Sequence, residues 1–333
     1  MSVLAIEVMD GSSGEKVEAV LRGLAPRLGR INQVVCDHGG DLLNGMSRLR
    51  ADHPGIVLTY DVRHLLAWML KRRLKDCPRW AAFLAECGKA MPKVRQTAGN
   101  FLAPPVLRVK ARYMNLDGHV AWAARLSAWR SEKRWKALGE ALGMHAGKAE
   151  RWFEGVFGWL EGFDENVRGW SGLLQAAGMA MSLVQQEGLG RQTAGRFWMR
   201  WRESRLGGPQ DEAAEGFARE VKERLKEEGA KLGKNQMGLG SSDAVESLFG
   251  KCKEATGRGP EKTLGASVLL MALMGGPPVG DEEAKAGLEE VGTEDLRRWT
   301  EEQLGESDRA KKRRLLGRAP SGTPLPPTEP VPA

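Results

Sequence analysis

An aspartate that directly follows an apolar run is the first feature of the sequence that could do chemistry. Residues 31–36 read Ile-Asn-Gln-Val-Val-Cys, the run ends at Asp37, and a pair of glycines follows almost at once. The ends of buried parallel strands are where α/β proteins collect ligands, so this carboxylate could hold a divalent cation. Asp37 could also cap the following helix or make a turn with Gly39, and His38 and Asp41 are alternative metal ligands.

A second carboxylate, Glu246, lies on the polar side of a helix predicted over residues 243–255. Asp243, Glu246 and Lys253 share that side at helical spacing. Lys253 could bind a phosphate as a point charge, and Lys251 is a neighbouring cation. We predict that both lysines contact the phosphates of DNA. Asp243 and Glu246 also fit a capping box, in which the glutamate bonds the start of its own helix.

Basic and aromatic residues alternate between positions 191 and 205 and indicate a nucleic-acid interface. Arginines bind phosphates and tryptophans stack on unpaired bases. We therefore predict DNA contacts from four residues of this helix: Arg196, Trp198, Arg200 and Trp201. The alternative places Phe197, Met199 and one tryptophan in the core and leaves the arginines solvated. The chain has 11 tryptophans, and most of them should be buried because an exposed indole is costly.

The elements that must position Asp37 follow a β-α-β-α-β order. The patterns predict strands at 3–9, 31–36 and 56–60, helices at about 17–28 and 42–51, and a long helix from Asp61. This order predicts parallel strands. The strand that ends at Asp37 is apolar on both faces, so it should have neighbours on each side, and three strands make a thin sheet for it.

Beyond the third strand the sequence is helical almost throughout. Helices are predicted at 118–130, 131–143, 147–161, 165–186, 191–205 and 211–231, and the last is charged and largely exposed. A flexible glycine segment at 238–242 then leads to the helix with Glu246. We predict four parts: a core segment at 1–77, a helical insertion at 78–237, a closing core segment at 238–278, and a charged tail at 279–333 that is disordered from about 317.

The composition limits the partners. The formal charge of +7 favours a polyanionic partner such as DNA. The four cysteines lack metal-ligand spacing and indicate reduced thiols. A basic, apolar leader is not evident at residue 1, and the apolar run at 265–274 is too short for a bilayer. We expect a cytoplasmic protein with no membrane partner, associated with the nucleoid when it binds DNA.

Taken together, these features resemble the bacterial DDE transposases of insertion sequences, which have an RNase H-like fold. QVVCDHGGDL, around Asp37, is similar to the family segment that carries the second catalytic carboxylate after the fourth strand. SSDAVESLFGKCKE, around Glu246, is similar to the helix that carries the last one. Lys253 matches a lysine of some relatives, whereas Leu239 and Ser242 stand where those relatives have a tyrosine and an arginine. TYDVRHLLAWMLKRRL and PPVLRVKARYMNL also look like family segments.

The resemblance implies an α/β protein whose RNase H-like core is incomplete, carries a large all-α insertion and is mostly helical overall. It implies metal-dependent DNA strand cleavage and transfer during DNA transposition. Two Mg²⁺ or Mn²⁺ ions would be held by Asp37, Glu246 and a further aspartate. The implied partners are transposon-end DNA and a second copy of the chain in a homodimer.

One member of the catalytic trio has no counterpart in this sequence. The family's first aspartate lies on a strand that would precede residue 1, and Asp10 is at the end of the wrong strand. We therefore interpret the sequence as a transposase truncated at its N-terminus, which leaves its enzymatic activity open. Two other hypotheses remain: a non-catalytic transposon remnant that at most binds DNA, and an unrelated α/β phosphohydrolase with Asp37 as its nucleophile.

Overall fold

The computed structural model of the chain describes residues 4–5, 7, 11–37, 39–106, 116–206, 211–255, 270–276 and 280–305. The chain divides into two compact units. Residues 29–242 form one, called here the strand unit. Residues 1–28 and 243–333 form the other, called here the terminal unit. The predicted tail disorder from about 317 lies outside the described residues.

Helices make up most of the described residues, as the sequence predicts. In chain order they are α1 (Gly14–Leu28), α2 (Gly40–Asp52), α3 (Val62–Leu74), α4 (Pro78–Arg95), α5 (Asp117–Ser131), α6 (Trp135–Leu142), α7 (Ala146–Phe157), α8 (Asp164–Glu187), α9 (Thr193–Ser204), α10 (Glu212–Ala230), α11 (Asp243–Ala255), α12 (Leu270–Gly275), α13 (Asp281–Glu290) and α14 (Thr293–Leu304). A 3₁₀ segment, Gly158–Phe163, joins α7 to α8. The apolar periodicity placed most of these helices within a few residues.

Two strands form the sheet that the described residues contain. β1 (Gln33–Cys36) pairs in parallel with β2 (Val57–Tyr60), and Cys36 lies opposite Tyr60. The parallel pairing confirms the prediction from the β-α-β order. A parallel pair brings both carboxyl ends to one edge of the sheet, so the residues after β1 and β2 are neighbours.

The first predicted strand, at residues 3–9, lies mostly outside the described residues. Leu4, Ala5 and Glu7 have no regular secondary structure, and the other residues of that segment lie outside the described part of the chain. Four of the seven residues of the predicted strand are thus not described, and the strand at 3–9 stays a prediction.

A single apolar core runs through the helices of the strand unit. It extends from Val62 to Leu232 and includes residues of α3 and of every helix from there to α10. Trp80 is nearly perpendicular to Trp170, with ring centroids 4.8 Å apart. α3 and the later helices share this core, and the predicted domain boundary at 77/78 stays a prediction.

The amphipathic helix α10 is more deeply packed than its charge suggested. It buries one complete stripe of side chains, which includes Phe217, Val221 and Leu225. Contacts with α8 and α9 cover that stripe. The prediction that residues 211–231 are largely exposed therefore holds for the opposite side of the helix only.

The glycine segment at 238–242, called here the return segment, lies in close contact with earlier parts of the chain. A side chain at Gly238 would overlap Gln33, and one at Gly240 would overlap Val184. These glycines allow close packing. The prediction of a flexible approach to α11 is corrected by these contacts.

The terminal unit contains α1 and the helices from α11 to α14. None of the residues of α1 is buried, whereas Leu248 and Cys252 of α11 are. α11 contacts α12. In the described part of the chain, no helix combines the length and the apolar character that crossing a membrane requires.

Candidate functional site

Asp37 lies where the sequence predicted it, at the carboxyl end of β1. The side chain is half-buried. Its Oδ1 accepts a hydrogen bond from the backbone N–H of Gly39 at 3.3 Å, so the turn proposed as one alternative does form. Gly39 is the N-cap of α2, but no side chain caps that helix, which excludes the capping alternative. A carboxylate with one weak hydrogen bond keeps most of its acceptor capacity.

Asp61 follows β2 in the same way that Asp37 follows β1, and its environment is very different. It is completely buried. Oδ1 accepts from the N–H groups of Arg63 at 2.8 Å and His64 at 3.3 Å, which caps α3. Oδ2 accepts from the N–H of Ser242 at 2.9 Å and from its hydroxyl, and lies 3.2 Å from Nδ1 of His64.

This set of partners decides the charge of Asp61. Burial alone would raise its pKa, but the hydrogen bonds from His64 and Ser242 outweigh burial and hold the pKa far below its usual range. Both carboxylate oxygens are fully used by protein donors. Asp61 is therefore a positioning group, and it leaves no oxygen for a metal ion.

A third acidic residue, Glu228, ties α10 to the end of β2. It is buried, and its Oε2 accepts from the backbone N–H of Tyr60 at 2.8 Å. Lys231 donates to both of its oxygens at 2.7 Å. Charge balance and satisfied acceptors explain how a glutamate can be buried here.

The thiol next to Asp37 is chemically quiet. Burial, followed by the neighbouring Asp37 carboxylate, raises the pKa of Cys36 to about 11. The thiol is protonated at neutral pH, and only the thiolate is a good nucleophile or metal ligand. Asp37 is therefore the reactive candidate at this strand end.

The return segment brings residue 242 back to the edge of the sheet. Gln33 of β1 donates from Nε2 to the carbonyl of Leu239 at 2.7 Å and accepts from its N–H at 2.9 Å. The N–H of Val62 donates to the carbonyl of Gly240 at 2.8 Å. With the Asp61–Ser242 bonds, these contacts fix the chain immediately before α11.

No protein-family model, curated protein or solved structure matches this chain.

Glu246 lies in the first turn of α11 and is half-buried. Asp37 belongs to the strand unit and Glu246 to the terminal unit, so their approach to one another stays a prediction. Lys251 is exposed on the same helix. The backbone of Lys253 lies in α11, and its side chain is outside the described part of the structure.

Of the aromatic residues predicted to stack on DNA, Trp201 is corrected by the structure. The side chain is fully buried, and its indole N–H donates to Oε2 of Glu215 at 2.7 Å. A ring enclosed on both faces has no surface for a base. Trp198 is half-buried, with Nζ of Lys222 5.1 Å from its ring centroid. Met199, the suggested core residue, is 63% exposed.

The two arginines predicted to bind DNA share one carboxylate. Arg196 donates to Oε2 of Glu187 at 2.6 Å, and Arg200 donates to Oε1 at 2.5 Å. Two guanidinium groups on one carboxylate retain a net positive charge. Their contact with a phosphate stays a prediction.

The acceptor chemistry at the sheet edge fits a hard cation at one position. A divalent cation prefers carboxylate oxygens, and Asp37 offers one that is not saturated. Within the described ranges, no group of three or more His, Cys, Asp or Glu side chains is arranged to hold a metal ion. Among the described residues of the strand unit, Asp37 is our candidate ligand, and His38, the alternative named from the sequence, lies outside them.

Sequence reasoning missed three residues that the structure singles out. Asp61 had the same signal as Asp37, a carboxylate directly after an apolar strand, and was treated only as the start of a helix. Glu228 gave no signal, because its partner Tyr60 is distant in sequence. Trp68 lies off the apolar stripe of α3, and three consecutive basic residues begin three positions after it, at Lys71. This pattern could have marked Trp68 as exposed.

Proposed function

We propose that the chain is a DDE-type transposase or a protein derived from one. Its activity would be metal-dependent DNA strand cleavage and transfer during transposition. Asp37 and Glu246 would be two of its metal-binding carboxylates, as the family resemblance implies. The DNA partner is consistent with the excess of basic residues, 50 against 43 acidic ones.

The observation that carries this proposal is the return of the chain to its first strands after a long series of helices. Residues 239 and 240 bond Gln33 and Val62, and Ser242 bonds Asp61. α11, which carries Glu246, begins at the next residue. A parallel sheet interrupted by a helical insertion, followed by a helix with an acidic residue, is the order that the resemblance implies.

The residues present fit a limited part of the chemistry. Asp37 and Glu246 would hold Mg²⁺ or Mn²⁺ through carboxylate oxygens. When bound, such ions activate an attacking oxygen and stabilise in-line displacement at phosphorus. The protein fixes Asp37 by the end of β1 and the Gly39 turn, and the protonated Cys36 thiol does not compete for the cation.

Mn²⁺ binding to the full chain tests the metal part of the proposal. We expect Asp37→Asn and Glu246→Gln each to weaken binding by about tenfold or more, measured by electron paramagnetic resonance of the free ion. Asp41→Asn and Glu254→Gln are matched controls, because both are exposed carboxylates on the adjoining helices. Binding that is unchanged in Asp37→Asn, or that depends on Asp41, contradicts the proposal.

Strand cleavage tests the enzymatic part. Cleavage of supercoiled DNA with Mn²⁺ is measured for the full chain and for its Asp37→Asn and Glu246→Gln variants. A DDE mechanism requires both carboxylates as metal ligands, so we expect each substitution to abolish cleavage. Cleavage that survives either substitution contradicts a DDE mechanism.

The alternative function is a non-catalytic protein that at most binds DNA. The basic end of α3, with Lys71, Arg72 and Arg73 in its last turn, favours this alternative. It predicts that the full chain binds DNA and does not cleave it. The two measurements together separate the alternatives.

A further inference from the structure

Trp68 differs from every other tryptophan of the chain. All 11 tryptophans lie in the described residues, and Trp68 is the one whose side chain is exposed, at 40%. The other ten are buried or half-buried. Exposing a large indole sacrifices much of the free energy that its burial would contribute. A tryptophan kept at the surface therefore points to a ligand.

Two guanidinium groups from different helices flank the exposed ring. Cζ of Arg72, one turn further along α3, lies 4.8 Å from the ring centroid. Cζ of Arg224, from α10, lies 5.8 Å from it. Both distances are within the range of a cation–π contact. The ring and the two cations form one preassembled surface, called here the Trp68 surface.

Ion pairs between α3 and α10 hold the Trp68 surface together. Glu220 of α10 lies 3.1 Å from Nη2 of Arg73 and 3.7 Å from Nη1 of Arg72. Arg224 also contacts Glu227 of its own helix at 2.8 Å. These ion pairs join α3 to α10 beside the ring, and Arg224 lies next to Trp68 in the absence of a ligand.

The charge of this surface is positive. Its cations are Lys71, Arg72, Arg73, Lys75 and Arg224, of which all but Arg224, which is half-buried, are exposed. The carboxylates in contact with them are Glu220 and Glu227. Positive charge around an exposed flat ring favours a ligand that combines an aromatic face with negative charge.

Single-stranded nucleic acid has this combination. An unpaired base stacks on an indole or a guanidinium plane, and the adjoining phosphates bind arginine and lysine. A base inside a duplex has no free face to offer. The position also fits, because Trp68 lies seven residues after Asp61 on α3, which is about 10 Å of helix at 1.5 Å per residue. One or two nucleotides bridge such a distance.

We propose that the Trp68 surface binds single-stranded DNA, with one unpaired base stacked on Trp68 and its phosphates bound by Arg72 and Arg224. The inference rests on the DNA substrate of the proposed function and is independent of its metal site. An unpaired base would thereby be held two turns of α3, about 10 Å, from the sheet edge that carries Asp37.

Binding of a short fluorescent single-stranded DNA to the full chain, measured by anisotropy in EDTA, tests the inference. We expect Trp68→Ala to weaken binding about tenfold and Trp68→Phe to weaken it less, because phenylalanine keeps a flat ring. Wild-type tryptophan fluorescence is expected to be quenched by the DNA, with most of the quenching lost in Trp68→Phe. Alanine is compatible with a helix, and thermal unfolding confirms that the variants fold.

The charged residues give a second measurement. Arg72→Gln combined with Arg224→Gln is expected to lower the slope of log Kd against log salt concentration by about 1.4, which is about 0.7 for each phosphate contact to a single strand. A duplex of the same sequence is expected to bind more weakly than the single strand and to be insensitive to Trp68→Ala. RNA of the same sequence competes equally if stacking alone selects the ligand, and more weakly if the surface is specific for DNA; both results support the surface.

Matched controls separate this surface from α9. Met199 is a large exposed apolar residue beside Arg196 and Arg200, and Met199→Ala is expected to leave binding unchanged. Loss of binding in Arg196→Gln/Arg200→Gln while Trp68→Ala binds normally overturns the inference in favour of α9. A change of less than twofold in single-strand binding by Trp68→Ala also overturns the inference. This holds even if Trp68→Ala alters self-association or the binding of a protein, because the surface would then have a different ligand.

The two proposals fail independently. Asp37→Asn is expected to lose Mn²⁺ and to keep single-strand binding, and Trp68→Ala is expected to do the reverse. Trp68-dependent binding in a chain that binds no Mn²⁺ supports the surface and rejects the metal site. If the chain binds Mn²⁺ and Trp68→Ala does not weaken its binding of single-stranded DNA, the metal site is supported and the Trp68 surface is rejected.

Discussion

Asp37 and Asp61 occupy equivalent positions at the ends of neighbouring parallel strands and have opposite environments. Asp61 is fully buried, and backbone and side-chain donors from two distant parts of the chain use both of its oxygens. Asp37 is half-buried, and within the described part of the chain it accepts a hydrogen bond at 3.3 Å from the N–H of Gly39 in a turn. The residue type and the strand-end position are the same, so the donors around each carboxylate decide whether it supports the fold or remains available to a ligand.

The largest expected effect is on stability at Asp61. We expect Asp61→Asn to lower the free energy of unfolding by about 3 kcal/mol, because a neutral amide cannot accept at both positions and leaves buried donors without partners. Urea unfolding followed by circular dichroism measures the change. Asp41→Asn, an exposed carboxylate in the first turn of α2, is the control. If Asp61→Asn and the wild type have equal free energies of unfolding, Asp61 does not support the fold and does not differ from Asp37 in this respect.

The pH dependence of that difference is the next effect. The folded-state pKa of Asp61 is lowered, so its contribution is present above the unfolded-state pKa of about 4 and is lost as pH falls towards the folded-state value. The stability difference between wild type and Asp61→Asn is expected to shrink by about 1.4 kcal/mol per pH unit below about 4. Urea unfolding at several values between pH 5 and pH 2 measures it. A difference that grows on acidification has the wrong sign.

Ser242→Ala should have a smaller effect in the same direction. It removes the hydroxyl that donates to Oδ2 of Asp61 but keeps the backbone N–H bond at 2.9 Å. We expect a loss of about 1.5 kcal/mol from the free energy of unfolding, as for one hydrogen bond to a charged group. Ser47→Ala, at an exposed serine of α2, is the control for urea unfolding. A loss as large as that of Asp61→Asn would mean that the hydroxyl carries the whole network.

The smallest effect on stability is expected at Asp37. Asparagine forms the same turn with Gly39, because its side-chain oxygen accepts the same N–H. Asp37→Asn should therefore change the free energy of unfolding by less than about 0.5 kcal/mol while weakening Mn²⁺ binding. Urea unfolding and Mn²⁺ titration on the same preparation measure both. A stability loss comparable to that of Asp61→Asn would make Asp37 a structural residue as well.

The sequence predicted the elements around these carboxylates well, because the signals are local. Apolar runs bounded by glycine or aspartate marked β1 and β2, and helical periodicity marked α3 and α8 through α11. Asp37 was placed at its strand end by the same reasoning. The strand predicted at 3–9 stays a prediction, because most of its residues lie outside the described part of the chain.

The environments of the site residues could not be predicted, since they depend on contacts between distant parts of the chain. Asp61 and Ser242 are 181 residues apart in sequence, and Tyr60 and Glu228 are 168 apart. The burial of Trp201 and the exposure of Trp68 depend on which face of each helix meets its neighbours. A helix rich in arginine and tryptophan has the same composition whether its indole faces inward or outward.

The return segment has a consequence for how the protein is made on the ribosome. Asp61 is synthesised 181 residues before Ser242, which at 5–20 residues per second is an interval of about 10 to 35 s. Until then its Oδ1 has the N–H groups of its own helix as partners, and Oδ2 lacks both of the Ser242 donors. The sheet edge is thus completed only after the helices from α4 to α10 have been synthesised, and a nascent chain released before residue 242 lacks the contacts that close it.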